Sequence, residues 1–159
     1  MAIIGIVTAV VVPRVGNSLS NLELRSSARS VAACLRYANT RAMTRKMVYL
    51  ASFDLEKGKL LTAPLASAYS GKDESGDQEG LRSHQPMIYM LPKDLSFYVG
   101  ETDGQTSESN KFDIYFFENG TCSGGRIFLA NKRGKAYKLV VDIITSQVEI
   151  NAVSRAVAE

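Results

Sequence analysis

Met1-Ala-Ile-Ile-Gly-Ile-Val-Thr-Ala-Val-Val-Val-Pro13 is the stretch on which the reading of this 159-residue chain turns. It carries no charge, and Arg14 is the first charged residue. As a helix, the residues before Pro13 span about 18 Å, short of the roughly 30 Å hydrocarbon core of a bilayer. Three readings compete. A secretory signal would need a positive n-region and a small-x-small cleavage site, and neither is present in the run. A buried core helix would need cover on every side, because the run has no polar face and its crowded Ile and Val make it a modest helix former in water. The third reading is the distal part of a membrane-inserted helix that begins upstream of Met1. Pro13 removes one i to i−4 hydrogen bond, so a kink or a loosened turn is expected between Gly5 and Pro13.

Beyond Pro13 the apolar period is helical to about Arg45. Val15, Leu19 and Leu22 form one row, and Leu24, Ala28, Val31, Leu35, Ala38 and Ala42 continue it on a shifted stripe that is expected to cover a sheet. Arg25, Arg29 and Arg36 share another face. From Met47 the period becomes two. Met47 to Asp54 and Lys59 to Thr62 read as a hairpin across Glu56-Lys-Gly58. Leu65 to Pro86 reads as a long loop and Gly100 to Asn110 as a second one. Met87 to Met90 and Leu95 to Val99 are short strands around Pro92. Phe112 to Phe117 is a strand ended by the turn signal Asn119-Gly120. Arg126 to Ala130 and Ala136 to Ile143 pair across Asn131-Lys-Arg-Gly134, and Gln147 to Asn151 closes the sheet. The expected fold is α+β, one long N-terminal α-helix packed on an antiparallel β-sheet. Residues 1–46 form the apolar anchor and amphipathic helix, and residues 47–159 the globular sheet domain.

The net charge of +3 is unevenly spread. Arg14, Arg25, Arg29, Arg36, Arg41, Arg45 and Lys46 face the single anion Glu23, whereas acidic residues predominate from Gly71 to Ser109. A solvated helix face that meets acidic neighbours in an assembly explains this. The residues offer little chemistry. His84 is the only histidine and falls in a loop. The acidic run Asp73-Glu-Ser-Gly-Asp-Gln-Glu79 lacks the ligand spacing of an EF-hand. No nucleotide-binding glycine loop occurs. No enzymatic activity, cofactor or metal is expected. Cys34, beside Val31 and Leu35, reads as a buried thiol, and its pairing with Cys122 depends on a distance that sequence does not contain.

Ala2-Ile3-Ile4-Gly5-Ile6 and Pro13, followed by a long Arg-rich helix, resemble the N-terminal helix of type IV pilins and type II secretion pseudopilins. In that family a Gly-Phe-Thr-Leu-Ile-Glu peptidase motif, with a methylatable Phe and an assembly Glu, stands a few residues upstream. It would lie before Met1 here, and about nine more residues would make the helix before Pro13 long enough to span. Phe112 to Leu129 and Tyr137 to Ile150 are similar to the GspH/FimT group of minor pseudopilins and minor pilins. That group has an F-x-x-G-x-x-x-x-G-x-I strand pair and a V-V-D-x-x-T-G-x-V hairpin. Ser146 stands where the group has Gly, and Asn39 where its L-x-x-A-R-x-x-A helix segment has Arg.

The resemblance implies a structural subunit of a type II secretion pseudopilus, held by one pass in a bacterial inner membrane with its globular domain in the periplasm. Ile3, Ile4, Gly5, Val7, Val10, Val11 and Pro13 would then belong to the membrane and assembly helix. Partners would be other pseudopilins or pilins through that helix, the inner membrane and secreted cargo. The alternative is a type IV minor pilin that primes pilus assembly or takes up DNA. Arg126, Lys132, Arg133, Lys135 and Lys138 would be the candidate phosphate contacts in that case, although charged residues on a hairpin also keep a sheet edge soluble.

Overall fold

The computed structural model describes residues 2–69, 86–102, 105–106 and 110–154, with side chains described for 20–68, 86–98 and 110–153. The acidic run 73–79, His84 and Arg155 lie outside them. The described elements run α1 (Ala2–Arg45), β1 (Tyr49–Asp54), β2 (Lys59–Pro64), α2 (Leu65–Tyr69), β3 (Met87–Met90), β4 (Leu95–Thr102), β5 (Gln105–Thr106), β6 (Lys111–Phe116), β7 (Gly125–Asn131), β8 (Lys135–Val141) and β9 (Val148–Ser154). This is the expected α+β arrangement of a long helix on antiparallel strands. It differs in having two sheets, ordered β3-β2-β1-β6 and β5-β4-β7-β8-β9. The chain leaves the first sheet at Pro92, returns to it with β6, and leaves again through the positive-φ glycines Gly120 and Gly124.

Both sheets present their apolar rows to α1. Leu24, Ala28, Val31, Leu35, Ala38 and Ala42 are buried as their spacing requires, and so are Ser27, Ala32 and Cys34. At 100° per residue this set covers an arc of roughly 160°, wider than one sheet needs. Ser27 and Cys34 widen the covered face on one edge and Ala32 on the other, in keeping with contacts from α1 to strands of both sheets. Phe53 of β1 joins the two layers: its ring stands edge-on to Phe97 of β4 at 5.2 Å and tilted to Phe112 of β6 at 6.0 Å. Leu22, on the row before the shift, is 60% exposed, because two residues of helix turn it about 200° from Leu24.

Other boundaries move for identifiable reasons. α1 is helical on both sides of Pro13, with no break where a loosened turn was expected. It ends at Arg45 through Lys46 at φ 53°, and the Met47 N–H reaches back to the Ala42 carbonyl at 3.3 Å. That cap consumes Met47, so β1 starts at Tyr49 rather than at the expected position. The anticipated loop from Leu65 opens with the short helix α2. The second anticipated loop is partly strand, because β4 continues past a bulge after Phe97 to pair with β5. β9 runs past Asn151 to Ser154, following β8 to its first residue.

The ends of β6 and β8 are locked together by their loops. The Cys122 N–H donates to the Ile143 carbonyl at 3.0 Å, and its thiol donates to the Asp142 carbonyl at 3.2 Å. Ser146 occupies the left-handed region at φ 52°, is buried, and donates its hydroxyl to the Gly120 carbonyl at 2.8 Å. A glycine would relieve the φ strain but forfeit that bond. Ser146→Ala keeps the strain and loses the bond, so in chemical denaturation it is expected to be less stable than Ser146→Gly by about 1 kcal/mol. Equal stability of the two would dismiss the strain. Gly124 sits at φ 67°, and an added Cβ would collide with Ile143 Cγ1. Gly124→Ala should therefore cost about 2–4 kcal/mol, measured the same way.

Candidate functional site

The expected assembly element is α1. Its side chains at Ile3, Ile4, Gly5, Val7, Val10, Val11 and Pro13 lie outside the described ones, and its backbone there is helical. At 44 residues α1 is about 66 Å long, whereas strands of six to eight residues reach about 20–27 Å. The sheets therefore cover only part of it, and among the described side chains, which begin at Ser20, the buried stripe starts at Leu24. Opposite that stripe, Leu22, Ser26, Arg29, Ala33, Arg36 and Thr40 are exposed in one row. The row mixes small side chains with cations and suits close packing against other helices. Arg36 also donates to the Val148 carbonyl at 3.2 Å, tying the row to the start of β9. The Arg41 guanidinium lies 5.0 Å from the Tyr37 ring.

The cations singled out in the sequence do not form one surface. Arg126 opens β7 opposite Val140 and Glu101, while Lys132 follows its end. Six steps along the strand separate them by about 20 Å. Lys138 is half-buried on β8, across from Phe128 and Asn151. Lys132, Arg133 and Lys135 do stand together, in the exposed turn between β7 and β8. Lys132 Nζ meets Asp94 Oδ1 at 2.8 Å, with both side chains mostly in water. That hydrogen bond and the lysine's charge hold the Asp94 carboxyl below its ordinary range.

The residue that organises this turn was not singled out beforehand. Asn131 is 3% exposed. Its Oδ1 accepts the N–H groups of Arg133 at 3.1 Å and Lys135 at 3.0 Å, and its Nδ2 donates to Ser20 Oγ on α1 at 3.3 Å. An Asn ahead of Lys-Arg-Gly carries the signature of a side chain that closes a turn on its own backbone. Its bond to the helix has no local signature.

At the other end of the sheets Phe117, Ile143 and Ile144 are exposed, Ile144 to 76%. Cys34 and Cys122 are both buried and free. Burial raises the Cys34 pKa, so its thiol stays protonated at neutral pH. Asn39, the replacement for an Arg, buries an Oδ1 without a partner. Among the described residues no group of His, Cys, Asp and Glu is arranged to hold a metal ion. An open depression of about 440 Å³ lies beside the basic turn, lined by Gly134, Lys135, Ala136, Tyr137, Ala152 and Val153. It offers an amine and a phenol, but no carboxylate, imidazole or thiol to pair with them.

Two measurements test this geometry. Asn131→Ala should lower stability by about 2–3 kcal/mol, and Ser20→Ala, which removes only the helix bond, by about 1 kcal/mol. An Asn131→Ala variant as stable as the parent would remove the clamp. In an NMR pH titration, Lys132→Ala should bring the Asp94 midpoint back up to the ordinary carboxylate value.

No protein-family model and no curated protein sequence matches the chain. Solved structures do. The minor pseudopilin EpsH from the type 2 secretion system of Vibrio cholerae superposes with a TM-score of 0.56 at 12% identity, over 83% of this chain and 97% of that one. The type IV minor pilin FimU of Pseudomonas aeruginosa superposes with a TM-score of 0.52 at 16% identity, over 86% and 92%. At such identities the likeness is one of architecture, and it agrees with the long helix and antiparallel strands described above. The chain has the GspH/minor pilin-type fold, an N-terminal helix packed on antiparallel sheets.

Proposed function

We propose that this protein is a minor pseudopilin of a type II secretion system, a structural subunit that catalyses no reaction. Residues 1–46 anchor it in the inner membrane and then join the helical core of a pseudopilus. Residues 47–159 face the periplasm, partner subunits and secreted cargo. The observation that carries this reading is the mismatch between helix and sheets. A helix of about 66 Å gives its second half to the globular core and keeps an exposed row along that half. A monomer gains nothing from exposed Leu22, whereas a bundle of parallel helices buries it.

The apolar run supports anchoring through its composition, from Met1 to Val12 without a charge. Among the described residues no helix is long and apolar enough to cross a membrane. FimU and EpsH superpose almost equally well, so assignment to secretion over pilus priming rests on the sequence resemblance.

Replacing Ile3, Ile4, Val7, Val10 and Val11 with Ser should move the protein from the membrane to the soluble fraction and abolish its incorporation into filaments. Unchanged fractionation would refute the anchor. In cells lacking the native gene, the protein should restore secretion; restoration of pili without secretion would favour the priming role.

A further inference from the structure

We infer that the β7–β8 turn, with Lys93 beside it, is a foot that binds the anionic headgroups of the membrane surface in which the helix is anchored. This rests on the anchoring reading above. The first argument is position. Asn131 ties the turn to Ser20, and Ser20 lies eight residues, about 12 Å of helix, beyond Val12. Arg36 and Val148 make the corresponding tie farther along α1. The turn is thus on the side of the sheets that looks toward the apolar run. When that run sits in hydrocarbon, the turn lies a few ångström beyond the headgroup layer, within about one Debye length of the charged surface.

The second argument is charge. Lys93, Lys132, Arg133 and Lys135 are exposed there, and among the described residues Asp94 is the one anion set with them. Near an anionic leaflet each such cation strengthens binding about fivefold. The third is rigidity. Asn131 accepts two N–H groups of the turn, and the Gly134 N–H donates to the Asn131 carbonyl at 3.3 Å. The turn is therefore ordered before it meets a ligand, which lowers the entropic cost of binding. A nucleic-acid surface fits less well. Arg126 is about 20 Å away along β7, and the turn itself carries no aromatic ring on which a base could stack. The exposed Lys132–Asp94 pair is screened by water and opens at little cost. Asp94 thus acts as a brake on the foot.

The test is flotation of the full chain with vesicles of phosphatidylcholine alone and with vesicles containing about one-third phosphatidylglycerol. The triple variant Lys132→Ala, Arg133→Ala, Lys135→Ala should bind the anionic vesicles about a hundredfold more weakly and the neutral vesicles as the parent does. The parent's extra affinity for anionic vesicles should vanish at high salt. Asp94→Asn should bind anionic vesicles more tightly than the parent. All four side chains are exposed, and unchanged thermal melting will show that the variants fold. Lys135→Glu alone provides a second variant, expected to bind anionic vesicles more weakly than the parent.

Parent-like binding of the triple variant to anionic vesicles would overturn the foot. So would loss of salt-sensitive duplex DNA binding by that variant with vesicle binding intact, which would make the turn a nucleic-acid surface. Failure of the anchor reads differently: the parent would not bind neutral vesicles, and serine replacement of Ile3, Val7 and Val10 would change nothing. Weaker binding of the triple variant to anionic vesicles would support the foot even then.

Discussion

Everything in this fold depends on the close approach of two sheets to one helix. Ala28, Ala32, Ala38 and Ala42 are completely buried, and their methyl groups let strands from both sides come near the helix axis. Leu24, Val31 and Leu35 then fill the spaces between the sheets, each fully buried aliphatic side chain stabilising the fold by about 1.5–3 kcal/mol. A larger residue at one of the alanines would push a sheet away and undo the contacts of its neighbours. Phe53 supplies the matching constraint from the sheet side, since its ring touches aromatic partners in both layers.

The helix and its stripe were legible in the sequence because a 3.6-residue period of small and apolar residues has few other meanings. The hairpins were legible from two-residue alternation and from Asn119-Gly120 and Asn131 to Gly134. The division into two sheets was not. Strand alternation says which face is buried, but not that β6 will pair with β1 while β4 pairs with β7. That choice is made by long-range partners and by the backbone turns at Gly120 and Gly124. Cys34 was expected to be buried, whereas Ser27 and Ala32, which flank the stripe on its two edges, were not, since one apolar stripe does not reveal that two sheets cover the helix.

The candidate site was legible in part. The basic turn stood out as Lys132, Arg133 and Lys135, but grouping it with Arg126 and Lys138 followed proximity in sequence. Strand geometry separates residues by about 3.3 Å per position and sends neighbours to opposite faces. Asp94 and Ser20 could not have been connected to the turn, because they lie 38 and 111 residues from their partners. Ser146 shows the reverse case. Its departure from a glycine pattern was visible in the sequence, while the positive φ and the hydrogen bond that offsets the strain appear only in the structure.

The two ties between α1 and the second sheet have a mechanical consequence. Ser20 and Arg36 are sixteen residues apart, so Asn131 and Val148 grip the helix at points about 24 Å from each other. One tie would leave a pivot. Two resist both sliding along the helix axis and rocking about it. A pull on the helix is then passed to the globular domain as shear across two separated bonds and a packed core. Such a subunit moves as one rigid body under load, and any stretching falls to the part of the helix that the sheets leave uncovered.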